Sequence, residues 1–336
     1  MRATAARRLR HAIASSYLDQ HPMHTAAFIV VGGALAVGAL VGLAFVAGPE
    51  EVLSRLVHPH LIWLPIALGA SVASYLGYML AYRECACAGS GPDLPLTHVG
   101  ALVAGGFGLF IPRGGFALDV DALELAGLPR REAQVRTMSL GTLEYAVLAP
   151  VAFAISLLLL ATGVHRVGVP LSWAVGVPVG TLVALALLRH RHAFARRQGW
   201  RSRLAHGLDG IAHTLDLVRD FRTGLLALLG MAIYWAADIF VLWACLALFW
   251  PHGSPGVLVI VLGYASGYAL TRRSLPLAGA GAVEMMLPFA LMWMGIALPA
   301  AIVCVFVYRV FNLWLPLAPA AAAVFALRRS TQSARA

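Results

Sequence analysis

Four charged residues lie inside stretches that are otherwise apolar: Glu144, Asp238, Glu284 and Arg309. A charged side chain facing lipid at a helix centre costs at least ~2.5 kcal/mol. These four must therefore face one another, a cavity or a substrate, and gating or charge pairing is the chemistry open to them. A second set of residues interrupts apolar runs. The stretch FIPRGGFALD covers residues 110–119. Pro112 lacks a backbone donor and stops a helix. Gly114 and Gly115 allow close approach of the backbone. Arg113 brings a guanidinium fork suited to phosphate. A helix restarting near Phe116 aims free N–H groups and its positive dipole end at an anion, and Asp119 stands one turn into it. The stretch SLPLAGAGAVE, residues 274–284, offers Pro276 as a break with Gly279 and Gly281, just after Arg272 and Arg273. Together Arg113, Gly114, Gly115, Asp119, Arg272, Arg273, Gly279 and Gly281 make candidate contacts to an anionic head group. The plainer reading of residues 112–115 is an interfacial loop with a snorkelling arginine. Likewise a Glu284–Arg309 pair could fix helix register alone. Asp238 follows Tyr234 and Trp235, and the sequence names no partner for it.

The elements that must carry these residues are set by hydropathy. The chain has 336 residues, 60% hydrophobic and 12% charged, with a mean hydropathy of +0.80. A soluble domain carries about 25% charged residues, and several apolar runs here reach the ~20 residues that span a bilayer. The composition excludes a soluble protein and points to an all-α polytopic membrane protein. Net charge is +10, and all 25 basic residues are arginine. Loop sidedness accounts for that excess, so no nucleic-acid partner is expected. Cys245 and Cys304 read as small core hydrophobes. Cys85 and Cys87 have no His/Cys partners at zinc spacing, so neither metal nor cofactor is expected. The first apolar run is expected to stay as a helix rather than be cleaved as a signal peptide.

Six full spans are expected at 25–47, 61–82, 138–162, 170–188, 224–249 and 300–327. Two pairs of shorter pieces, 98–111 with 116–127 and 257–270 with 285–295, flank the two breaks. Residues 1–24 form a basic N-terminus, 25–328 a single transmembrane domain and 329–336 a tail. A basic loop is expected around Arg130, Arg131 and Arg136. Residues 189–222 form a basic cytoplasmic segment. Within it Leu204, Leu208, Ile211, Leu215, Val218 and Phe221 recur every three or four residues, as on one face of a surface helix. The pairs His206/Asp209 and His213/Asp216 read as its solvated face rather than as metal ligands.

Arginine-rich short loops stay cytoplasmic. With both termini inside, 19 arginines fall on the cytoplasmic side and only Arg55 and Arg166 outside. The two short pairs then become re-entrant hairpins, the first entering from the cytoplasm and the second from outside. Oppositely oriented broken-helix units form an inverted repeat, a recurring transporter plan.

At the two breaks, with "AGLPRREAQVRTMSLGTLEY" after the first and "LPLAGAGAVE…YRVFNLWLP" at the second, the sequence resembles the transmembrane domain of lysylphosphatidylglycerol synthases and the wider flippase-like membrane proteins of bacteria and archaea. The resemblance spans roughly residues 20–328. It implies movement of a lipid between leaflets of a bacterial inner membrane. Matching positions are Pro112, Gly114, Gly115 and Glu144, then Pro276, Gly279, Gly281, Glu284 and Arg309. Many members have Gly-Glu where this chain has Gly115-Phe116, and Glu-Arg where it has Glu144-Tyr145, which implies a different head group. The resemblance does not extend to the lysyl-transferring domain of those synthases, so lysyl transfer, and enzyme activity generally, are not expected. The substrate expected is an anionic phospholipid, a glycolipid or a polyprenyl-phosphate lipid, and membrane lipids and a second copy of the chain are the expected partners. A non-transporting scaffold and a lipid-modifying transferase are the alternatives. The second lacks a paired-carboxylate motif or a nucleophile elbow in 189–222.

Overall fold

The computed structural model describes residues 22–56, 59–89, 91–92, 94–108, 115–163, 166–191, 200–250, 255–268 and 276–318. Among them the regular elements are helical throughout. In chain order they are α1 (Pro22–Ala47), α2 (Pro49–Ser54), α3 (Trp63–Cys87), α4 (Leu96–Gly108), α5 (Gly115–Leu125), α6 (Arg130–Ala161), α7 (Gly168–Arg189), α8 (Trp200–Arg219), α9 (Phe221–Ala247), α10 (Val257–Tyr268), α11 (Ala282–Trp293) and α12 (Leu298–Arg309). Five are long and apolar enough to cross a membrane: α1, α3, α6, α7 and α9. The protein is a multi-pass, all-helical membrane protein. The sixth expected span starts at Leu298, is α-helical to Arg309 and runs on as a π-helical turn, Val310–Trp314; residues 319–327 of it lie outside the described residues. So do Pro112, Arg113, Gly114, Arg272 and Arg273.

The centre of the bundle is the pair α3 and α9. They run antiparallel: the His60 N–H, just before α3, donates to the Leu248 carbonyl, just after α9, at 2.8 Å. Trp63 meets Trp243 edge to face, with ring centroids 5.0 Å apart. Midway, two glycines let the backbones touch. A Cβ on Gly77 would lie 2.7 Å from both Gly230 O and Tyr234 N. A Cβ on Gly230 would lie 2.7 Å from both Gly77 O and Ala81 N. Each glycine thus faces the other's carbonyl and the amide four residues beyond, so the contact is reciprocal. Small residues at a crossing are how helices associate where burial of apolar surface supplies no drive.

Each central helix is followed by two short helices and then another helix: α4, α5 and α6 after α3, and α10, α11 and α12 after α9. The α5–α6 contact is tight, since a Cβ on Gly141 would lie 3.0 Å from the Phe116 ring. So is the α10–α11 contact, where a Cβ on Gly267 would lie 2.6 Å from Leu287 Cα.

Two expectations need correcting. The basic stretch at 130–136 is helix, not loop, because Pro129 precedes the first turn and Arg136 has partners along the helix and beyond it. Its guanidinium donates to Glu132 Oε1 at 2.7 Å and to the carbonyls of Ala86 and Ala88 at 2.9 and 2.8 Å. It thereby takes up the free carbonyls that end α3. At 32 residues α6 is ~48 Å long, well beyond a ~30 Å hydrocarbon core. Second, the apolar stripe of the basic segment does not all face the bilayer. Ala205, Leu208, Thr214 and Leu217 of α8 are buried, and a Cβ on Gly210 would lie 2.6 Å from Met138 Cβ of α6. Leu215, Val218 and Phe221 stay exposed, Phe221 at 83%.

Candidate functional site

The site is a polar network buried where α11 begins. Pro276–Gly279 form a short 3-10 turn. Leu277, Gly279 and Gly281 all have positive φ, at 54°, 69° and 84°. Glycine takes that conformation freely; Leu277, which carries a Cβ, is the exception. The turn delivers the chain into α11 with Gly281 at its N-cap and Glu284 in its first turn. Glu284 reaches back, its Oε2 accepting from the Gly281 N–H at 2.8 Å. Its Oε1 accepts from Arg309 Nε at 2.6 Å. Glu284 is fully buried and Arg309 is 2% exposed.

From Arg309 the network continues. Nη1 donates to Asn312 Oδ1 at 3.3 Å. Asn312 Nδ2 donates to Asp238 Oδ1 at 3.0 Å and to Tyr308 Oη at 2.8 Å. The Tyr308 hydroxyl donates to Asp238 Oδ2 at 2.7 Å, and the Tyr264 hydroxyl donates to the same oxygen. Asp238 therefore gathers donors from α10, from α12 and from the π turn beyond it. That turn is closed by the Leu315 N–H on the Val310 carbonyl at 2.8 Å. Widened turns of this kind are frequent at functional sites. One donor stands apart: Arg309 Nη2 is buried and has no hydrogen-bond partner among the described residues.

The first half holds a smaller counterpart. Glu144 on α6 is 9% exposed, and its Oε1 accepts from the Tyr78 hydroxyl of α3 at 2.8 Å. Its backbone carbonyl accepts from Trp235 Nε1 at 2.9 Å. Asp119 on α5 is fully buried, and Gly115 at the start of that helix is buried too. A row of rings links the two halves. Phe107 meets Tyr78 at 4.7 Å, Tyr78 meets Tyr234 at 5.0 Å, and Tyr234 meets Trp235 at 4.6 Å. Trp235 then meets Tyr264 at 5.9 Å, and Tyr264 meets Tyr308 at 6.3 Å. Tyr78 carries the Glu144 bond at one end, and Tyr264 and Tyr308 hold Asp238 at the other. Trp235 also lines an apolar cavity of about 560 Å³ between α6, α9 and α10.

Of the candidate residues, the structure brings together Gly281, Glu284, Arg309 and Asp238, with Pro276 and Gly279 in the turn leading in. Glu144, Asp119 and Gly115 lie in the other half. Tyr78, Tyr264, Tyr308, Asn312 and Trp235 are not evident from sequence reasoning. The available signal was that a carboxylate buried in an apolar span needs donors, and tyrosines and an asparagine inside apolar runs are the donors at hand. The His/Asp pairs of α8 are otherwise engaged. Asp209 pairs with Arg131 at 3.1 Å and Asp216 with Arg219 at 2.9 Å. His213 Nδ1 lies 3.1 Å from Ser139 Oγ of α6. Among the described residues no three His, Cys, Asp or Glu side chains group as metal ligands.

The family described as the lysylphosphatidylglycerol synthase TM region matches over residues 29–320. No curated protein matches the chain.

Proposed function

The chain belongs to the lysylphosphatidylglycerol synthase transmembrane-region family, and from that premise we propose that it moves a lipid from one leaflet of a membrane to the other. The observation that carries the reading is the buried network at the start of α11. Charged and polar groups this deep in an apolar bundle are expensive and mark a substrate path. Here they converge on a helix N-terminus, which favours negative charge, and they leave Arg309 Nη2 without a partner among the described residues. The substrate is a lipid with an anionic head group: a phospholipid, a glycolipid or a polyprenyl phosphate. The phosphate is held by Arg309 and the backbone around Gly279 and Gly281, with Arg272 and Arg273 before the break. Arg113, Gly114, Gly115 and Asp119 serve the other half.

The reciprocal contact of Gly77 and Gly230 between antiparallel helices supports an inverted repeat. It relates the unit α3–α6 to the unit α9–α12 by a local two-fold. On this reading α4–α5 and α10–α11 are re-entrant hairpins that enter from opposite faces, with both termini in the cytoplasm of a bacterial cell. Exposure of the head group then alternates between two equivalent, oppositely facing units. The chain acts as a carrier and performs no bond chemistry.

The test is transbilayer movement of head-group-labelled lipids in liposomes holding the purified chain. The panel holds anionic, zwitterionic, glycosylated and polyprenyl-phosphate species. Faster movement of one anionic class, lost in Glu284→Gln and in Arg309→Gln, is the expected result. Equal rates with and without protein for every species would overturn the proposal.

A further inference from the structure

A wider void than the one beside Trp235 lies away from the polar network. It is a cavity of about 780 Å³ between α6, α7, α8 and α9, within the ~300–1,000 Å³ range of sites that take a whole small ligand. Ser172, Gly176, Gly180, Ala184 and Leu188 of α7 line one wall. They recur every four residues and so form one stripe ~24 Å long. Tyr145 of α6 and Leu215 of α8 face it.

The glycines of this stripe differ in kind from Gly77 and Gly230. A Cβ on Gly176 or Gly180 would meet no atom within 4 Å. No described helix of this chain uses the room they leave. No residue in the apolar window of α7 is buried inside the protein. The helix is tied instead near its start, where Trp173 Nε1 donates to Ser266 Oγ of α10 at 2.8 Å. An apolar slot at membrane depth is filled by hydrocarbon rather than water.

Charge at one end says which hydrocarbon. Arg189, His190 and Arg191 follow directly on Leu188, and Arg222 lies four residues beyond Val218, which also lines the cavity. The carboxylates nearby are engaged. Asp209 and Asp216 are in ion pairs, and Asp220 caps α9, accepting from the Arg222 N–H and the Thr223 hydroxyl. Arg189, Arg191 and Arg222 make no ion pair with any described residue.

We infer that this cavity seats an acyl chain of an anionic phospholipid, with its phosphate at the rim formed by Arg189, Arg191 and Arg222. This lipid is bound apart from the α11 network and does not depend on translocation by it. The slot supplies length and shape, and the arginines supply preference for the anionic head.

The probes are phosphatidylglycerol and phosphatidylcholine with identical acyl chains, added to the delipidated full-length chain in detergent and read by native mass spectrometry. The wild type should retain phosphatidylglycerol in preference. Gly176→Leu with Gly180→Leu puts side chains into the slot from positions where a Cβ meets nothing within 4 Å, so the chain should keep its thermal unfolding midpoint while retention falls at least tenfold. Val179→Leu, on the exposed side of α7 at 52%, should change nothing. Arg189→Gln, Arg191→Gln and Arg222→Gln should each cut the anionic preference about fivefold. Equal retention of the two lipids, or retention unchanged by the double leucine variant, would overturn the assignment. So would a wild-type dimer that the double leucine variant abolishes with no change in bound lipid, which would give the slot to a second copy. Binding is read here without transport, so failure of this assignment and failure of the translocation reading are separate results.

Discussion

Removing one member of the Glu284–Arg309 pair while keeping the other should be among the most damaging single changes in the chain. Glu284 is fully buried and Arg309 is 2% exposed, so neither charge can turn to solvent. In Glu284→Leu, Arg309 keeps one hydrogen bond among the described residues, the 3.3 Å bond to Asn312 Oδ1. Breaking a buried pair on one side costs ~3–5 kcal/mol, because an uncompensated charge remains. Arg309→Met should cost less, by ~0.3–1 kcal/mol, because Glu284 keeps the Gly281 N–H and the positive end of α11. Combining Glu284→Leu with Arg309→Met removes both charges and should recover most of the loss. Equilibrium unfolding in mixed micelles gives all three values in one cycle. Single-variant losses below ~1 kcal/mol, typical of solvent-screened pairs, would refute the burial argument. Lipid movement should behave differently: it should stay absent in the double variant even where stability returns, since a purely register-fixing pair would regain both.

Other consequences can be measured in the same preparations. Gly230→Ala puts a Cβ 2.7 Å from two backbone atoms of α3 and should lower stability by ~1–3 kcal/mol, whereas Gly180→Ala should be neutral or slightly stabilising. Tyr264→Phe removes one donor from buried Asp238 and should cost ~1–3 kcal/mol, read by thermal unfolding, with a comparable loss for Tyr308→Phe. Burial, and next the charge of Arg136, push the His213 imidazole of α8 below its ordinary range, against the smaller upward pull of Asp216 and Glu132. A folded-state pKa below the unfolded value means the contribution is present above pH ~6.5 and is lost as pH falls. Amide-exchange protection around Gly210–Thr214, taken relative to the intrinsic rate at each pH, should therefore fall between pH 7 and pH 5, and His213→Gln should flatten that dependence.

Hydropathy made the five long helices legible, because apolar runs of this length have few other uses. The second break was legible too, since Pro276, Gly279 and Gly281 punctuate an apolar run and the structure puts a 3-10 turn and positive φ angles there. The partners of Asp238 were not. Tyr264, Tyr308 and Asn312 stand 26, 70 and 74 residues away, on elements whose mutual rotation no periodicity records. Arg136 misled for another reason: arginines next to a span read as loop when they can equally line the overhang of a long helix. The stripe on α8 was read correctly as apolar and too simply as lipid-facing. Which part of such a stripe meets protein depends on one small residue, Gly210, and on the residue it meets across α6.

The Gly77–Gly230 contact has a consequence for how this sequence can drift. Most buried contacts allow trade: one side chain shrinks, its neighbour grows, and the volume is kept. Here both partners are already at the smallest size available, and the atoms nearest each are backbone. No second substitution at the other glycine can make room for a first. The two positions should therefore be intolerant independently, with no suppressor between them, and a genetic screen for rescue of Gly77→Ala should return reversion rather than a change at residue 230.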